Sequence, residues 1–111
     1  KKMAHLNKSY DDMTEHEIRQ KMAYFREKAR KAQQLGVVNE FEVYQQKMVI
    51  AASHLVDLNT MIPGEVYRIE GHPGVYFRIE YLKGRFAWGY RLGEKTELEA
   101  LPVALLTPVK M

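Results

Sequence analysis

The sequence contains no cysteine. That excludes a disulfide framework, a thiolate metal site and a thiol nucleophile, so the fold must hold by packing alone, as is usual in a reducing compartment; a cytoplasmic protein is expected. No apolar run approaches the roughly 18 residues needed to span a bilayer. Lys1-Lys2-Met3 is not followed by the apolar stretch of a signal peptide. Because the first residue is not Met, the chain is expected either to be preceded by further residues or to carry two added lysines. A dominant charge of one sign is missing too. With 17 basic against 14 acidic side chains, the net charge of +3 permits attraction to phosphate without arguing for it.

Recognisable catalytic patterns are also lacking. There is no phosphate loop, no GxGxxG after a strand and no Ser-His-Asp order. His5, His16, His54 and His72 show no metal-type spacing, and His16 falls in the first turn of a helix. Glu94, Glu97 and Glu99 sit in or beside a polar loop, where an acid and base pair is conceivable but unsupported by any neighbour. The chain is read as non-catalytic and free of cofactors. What is present is 46% apolar residues over a 111-residue chain, enough to bury a core.

The hydrophobic period changes near Asn59, which divides the chain into residues 1–59 and 60–111. In the first part, Thr14 with Glu17 forms a capping box, and Met13 with Ile18 has the spacing of a hydrophobic staple. Ile18, Met22, Phe25, Ala29 and Ala32 then line one helical stripe, and Gly36 ends it, giving a helix over about 14–35. Asn39 is the expected N-cap of a second helix over about 39–57, with Glu40 and Glu42 near the positive end of its dipole. Its stripe is Phe41, Tyr44, Met48, Ala51 and Leu55. So short a connection returns the chain antiparallel, giving a helical hairpin. Val43, Val49 and Ile50 are left over and call for another surface, either the following domain or a second copy in a homodimer.

After Asn59 the pattern is that of strands. Pro63-Gly64 opens a strand over 65–70, and Gly71-His72-Pro73-Gly74 closes it. From Val75 to Leu82 the alternation puts Val75, Phe77, Ile79 and Tyr81 on one face. With Lys83-Gly84 as a two-residue loop, Tyr81 would face Phe86, Ile79 would face Trp88 and Phe77 would face Tyr90, all six in the core. The segment 98–106, interrupted by Pro102, supplies closing strands. Four or five short strands in about 45 residues favour a small curled barrel over a sandwich. The fold class is thus α+β, an antiparallel α-hairpin followed by a small β-barrel of the SH3-like kind.

The blocks Glu27-Lys28-Ala29-Arg30-Lys31-Ala32, Gly36 with Asn39-Glu40, Pro63 to Arg68, Phe86 to Arg91 and Glu99 to Pro102 carry a resemblance. On these residues the chain resembles the YfhH family of small uncharacterised proteins from spore-forming Firmicutes. The resemblance runs from about Tyr10 to Leu106, and the Phe86 to Arg91 block is its most specific part. It implies a helical hairpin with an SH3-like barrel. Members have been described as transcriptional regulators, and no catalytic motif carries over.

Two surfaces are candidates for binding. The run Arg26, Lys28, Arg30 and Lys31 is able to neutralise successive phosphates. The competing structural reading is a solvated face, with pairs Glu15–Arg19, Glu17–Lys21 and Glu27–Lys31 in the favourable i,i+4 order. The second surface is a barrel face of Arg68, Arg78, Arg85 and Arg91 with Tyr76 among them, suited to stacking on bases or holding a peptide. Here Glu70 and Glu80 are expected to interleave as ion pairs. Trp88 with Tyr67, Phe77, Tyr81, Phe86 and Tyr90 is read as core rather than as an aromatic cage. The functional expectation is a binding module for nucleic acid, with a protein-interaction adaptor as the alternative.

Overall fold

The computed structural model describes residues 8–93 and 97–109. Its chain divides into two compact units, Lys1–Leu55 and Val56–Met111.

The first unit is a pair of helices, α1 over Glu15–Leu35 and α2 over Val38–Ser53. The start of α1 is fixed reciprocally: the Thr14 hydroxyl accepts the Glu17 N–H at 3.1 Å, and the Glu17 carboxylate accepts the Thr14 N–H at 2.9 Å. Gly36, at φ 73°, closes the helix in the left-handed conformation and donates its N–H to carbonyls of the last turn. The stripe of Ile18, Phe25, Ala29 and Ala32 is buried as its spacing requires. Across the hairpin the rings of Phe25 and Tyr44 lie 6.3 Å apart, centroid to centroid.

The second helix differs from expectation at both ends. It starts at Val38 behind Val37, with no side-chain cap, so Asn39 lies inside its first turn. It stops at Ser53 instead of running to 57. The Ser53 hydroxyl donates back to the Val49 carbonyl, and the N–H groups of His54 and Leu55 turn to Ala51 and Ala52. Asp57 instead caps a separate 3-10 turn, Leu58–Thr60, by accepting the Asn59 N–H.

The second unit is an antiparallel five-stranded sheet: β1 Val66–Ile69, β2 Tyr76–Lys83, β3 Phe86–Arg91, β4 Glu99–Pro102 and β5 Leu106–Pro108, in the order β4-β3-β2-β1-β5. Its edges, β4 and β5, are four inter-strand steps apart, about 19 Å if the sheet were flat. Yet only one 3-10 turn, Val103–Leu105, joins them, and such a turn advances about 2 Å per residue. The sheet must therefore curl. Two hydrogen bonds across the turn bear this out: Val103 N–H to the Arg85 carbonyl at 3.1 Å, and Glu70 N–H to the Leu105 carbonyl at 2.7 Å. Among the described residues no ladder joins β4 to β5, so the sheet is curled and open where a closed barrel was expected.

The hollow of the curl holds the core, built from Tyr67, Ile69, Phe77, Ile79, Ala87, Val103 and Leu106, with Met61. Burying a side chain such as Phe77 contributes about 2–3 kcal/mol. The Tyr67 hydroxyl reaches a partner from inside this core, donating to the Thr60 carbonyl at 2.9 Å and accepting the Ile62 N–H at 2.8 Å.

The register of β2 on β3 departs from the sequence reading, and the departure decides which face each aromatic takes. The two-residue loop is Gly84-Arg85, because Lys83 pairs with Phe86. Gly84 has φ 59° and among the described residues no non-glycine residue has positive φ, which matches the hairpin turn that needs glycine first. A loop at Lys83-Gly84 would have put the glycine second. The ladder then slips between Ile79 and Tyr81, leaving Glu80 as the extra residue of a bulge. Phe77 and Ile79 accordingly point inward, whereas Tyr81 points out. On β3 the inward residues are Ala87 and Gly89, so Phe86, Trp88 and Tyr90 belong to the outer face and not to the core.

Candidate functional site

The outer face of the sheet collects the residues with binding chemistry. On β1, Arg68 lies directly opposite Tyr76 of β2. Two residues along β2, Arg78 lies opposite Tyr90 of β3, and Tyr81 lies opposite Trp88. Neighbours along one strand face are about 6.8 Å apart and cross-strand partners about 5 Å, so these side chains form one continuous surface. Tyr76, Tyr81 and Tyr90 are exposed at 37%, 44% and 40%. Trp88 and Phe86 are half-buried among them.

The rings of Tyr81 and Trp88 lie within 4° of parallel, with centroids 6.0 Å apart. That separation is an offset arrangement, in which each ring leaves part of its face uncovered. Arg68 and Arg78 are exposed, and among the described residues neither makes an ion pair, with Glu70 and Glu80 or with any other carboxylate. The expected interleaved salt bridges are therefore not formed. Lys83 adds a third exposed cation on the same face, opposite Phe86.

The other two arginines of the expected site lie elsewhere. Arg91 pairs with Phe77 across the ladder and so belongs to the inner side, where its Nε meets Glu99 Oε2 at 2.7 Å. Arg85 occupies the hairpin loop and donates from Nη1 to the Val56 carbonyl at 2.8 Å. Both are occupied structurally: one clasps β3 to the edge strand β4, and the other ties the loop to the start of the unit. Sequence reasoning placed Tyr81, Trp88 and Tyr90 in the core and so left them out of the site. Gly89, in the middle of a strand, was the signal that the register would break.

The helical cations are spread out. Arg26 and Lys31 are exposed, Arg30 forms an ion pair with Glu27, and the Lys28 ammonium lies 5.6 Å from the centre of the Tyr24 ring. At 100° per residue, Arg26 and Lys28 point to opposite sides of α1, so the run is not one stripe. The Arg30 hydrogen bond holds the Glu27 carboxyl below the usual carboxylate range. Two other pairings differ from the expected ones: Glu27 takes Arg30 rather than Lys31, and Glu17 takes Lys8. The Lys21 ammonium lies 5.0 Å from the Tyr10 ring centre, while Glu15–Arg19 forms as expected.

Among the described residues, no group of three or more His, Asp or Glu side chains is placed to hold a metal ion, and no helix is long and apolar enough to cross a membrane. His16 and His72 are exposed, and His54 stacks on Tyr10 at 4.3 Å. His5 and Glu94 lie outside the described residues.

Residues 8–107 match the model of a protein family of unknown function, DUF1811. The chain belongs to this family. It is also 43% identical over 101 residues to the uncharacterized protein YfhH of Bacillus subtilis (strain 168), an alignment covering 91% of this chain and 96% of that protein. The resemblance read from about Tyr10 to Leu106 is thereby borne out. The outer sheet face draws on that block for Phe86, Trp88 and Tyr90.

Proposed function

We propose that this protein is a non-catalytic binding module that holds nucleic acid against the outer face of its sheet, through Arg68, Arg78 and Tyr76 with Tyr81, Trp88 and Tyr90. The observation that carries the reading is the pair of exposed arginines, free of ion pairs among the described residues and set among exposed aromatics. A surface arginine with a carboxylate partner is already neutralised; one without is available to a phosphate. The curl forced by the Val103–Leu105 turn supports an SH3-like class for the sheet, and the lack of cysteine supports a cytoplasmic setting. On this reading Arg26, Lys28, Arg30 and Lys31 contribute at most a secondary phosphate contact.

The test is binding of generic DNA and RNA by the full chain across a salt series. Counterion release makes the affinity fall steeply as salt rises, and the double variant Arg68→Gln/Arg78→Gln flattens that slope. No binding at low salt removes the reading.

A second reading, a protein contact made by the helical hairpin, is favoured by apolar exposure near its connection: Leu35 is 78% exposed and Val38 63%. Its occupant is a second copy of the chain. Light scattering that finds a monomer throughout the micromolar range discards it.

A further inference from the structure

We infer that the nucleic acid taken by this face is single-stranded, with unpaired bases stacking on the Tyr81–Trp88 pair and on Tyr90 while Arg78 and Arg68 meet the backbone. This rests on the nucleic-acid reading above and names its ligand more closely. A duplex shows a protein its phosphates and its groove edges but hides the faces of its bases, so flat rings on an open sheet face gain nothing from it. Unpaired bases offer those faces, and every base has one.

The geometry suits stacking. Tyr81 and Trp88 lie in nearly parallel planes with centroids 6.0 Å apart, so the two rings present their faces in one orientation. Tyr90 follows Trp88 on the same face of β3 and lies opposite Arg78. Tyr76 and Arg68 face one another at the next ladder position toward β1. Aromatics and cations therefore alternate across three strands, rings toward β3 and guanidinium groups toward β1. The strand ladder fixes the spacing at which these rings leave the sheet.

The alternative of a peptide added as an extra strand is disfavoured by the edges themselves. Both edge strands carry proline, Pro102 in β4 and Pro108 in β5, and proline cannot donate to a new ladder. A peptide would have to lie across the face instead, where the exposed cations Arg68, Arg78 and Lys83 stand against the exposed carboxylates of Glu70 and Glu80.

The experiment uses the chain's single tryptophan, which sits in the site. The full protein is titrated with a single strand of about eight nucleotides, within the span of small sheet-based binders, and with the same sequence as a duplex. Trp88 emission and the polarisation of labelled oligonucleotide are both read. Quenching of Trp88 by the single strand with little effect of the duplex is expected. Tyr81→Ala and Tyr90→Ala, with unchanged circular dichroism, should each weaken the single-strand complex about tenfold or more. Arg78→Gln should instead lower the salt slope by roughly 0.7. Equal binding of both forms with Trp88 emission unmoved overturns the stacking inference and leaves the nucleic-acid reading standing. Failure of both forms to bind at low salt overturns both. Quenching of Trp88 by an acidic peptide but by neither oligonucleotide assigns the face to a protein partner and also overturns both.

Discussion

Tyr81 and Trp88 face each other across the β2–β3 ladder on the outer side of the sheet, although Ile79, two residues before Tyr81, is fully buried. Strict alternation would put Ile79 and Tyr81 on the same face. The bulge at Glu80 shifts the parity between them, and so carries to the outer face an aromatic pair that would have filled the core.

The bulge is sustained by Gly89. A Cβ at that position would lie 1.9 Å from the Arg78 carbonyl oxygen and 2.9 Å from its carbon, a clash with backbone that no rotamer change relieves. Gly89→Ala is expected to cost about 3 kcal/mol in denaturant unfolding, at the upper end of overpacking penalties. Gly71→Ala, at a turn where a Cβ meets nothing, should cost only about 1 kcal/mol, the price of its positive φ. Equal losses from the two would contradict the close approach.

The Tyr67 hydroxyl links the core to the segment that leads into β1, through Thr60 and Ile62. Tyr67→Phe keeps the ring and leaves the Ile62 N–H and the Thr60 carbonyl without this partner. A loss of about 1–2 kcal/mol in equilibrium unfolding is expected.

The ion pair Arg91–Glu99 is partly shielded and holds the short edge strand β4 against β3. A double-mutant cycle with Arg91→Ala and Glu99→Ala should give a coupling of about 1 kcal/mol, weaker at high salt. Its independence from the outer face predicts that neither change alters the salt slope of nucleic-acid binding.

At the start of α1, the Thr14 backbone N–H, followed by Lys8, holds the Glu17 carboxyl below the usual carboxylate range. A folded-state pKa lowered in this way means that the stabilisation is complete above the ordinary glutamate pKa and is lost as pH falls through Glu17's own lower value. Far-ultraviolet circular dichroism should show the acid-side weakening of α1 in the native chain. Glu17→Gln, which keeps an acceptor for the Thr14 N–H, should remove that part of the pH dependence. An unchanged acid profile in the variant would show that the cap is not its source.

What could be read in the sequence follows from how local the causes are. The start and end of α1 rest on Thr14, Glu17 and Gly36, whose partners lie within one turn, and they were legible. The start of α2 was not: Asn39 has the chemistry of a cap, but Gly36 already reverses the chain and the helix resumes at Val38 before Asn39 is reached. Phe77 and Ile79 were placed in the core by alternation alone. Trp88 and Tyr90 were misplaced because their face depends on a fact outside their own strand, the extra residue at Glu80; moving the two-residue loop from Lys83-Gly84 to Gly84-Arg85 changes their partners but not their face. Arg91 was drawn into the candidate site by the unseen bulge and Arg85 by the position of the loop, whereas Arg68 and Arg78 lie upstream of the slip and kept their face.

Collisional quenching of Trp88 in the free protein tests the arrangement most directly. If the ring lies on the outer face beside Arg78, iodide will quench its emission, caesium will do so less because of the neighbouring positive charge, and Arg68→Gln/Arg78→Gln will narrow the difference. A blue-shifted emission that neither ion reaches would place Trp88 in the core and contradict the account.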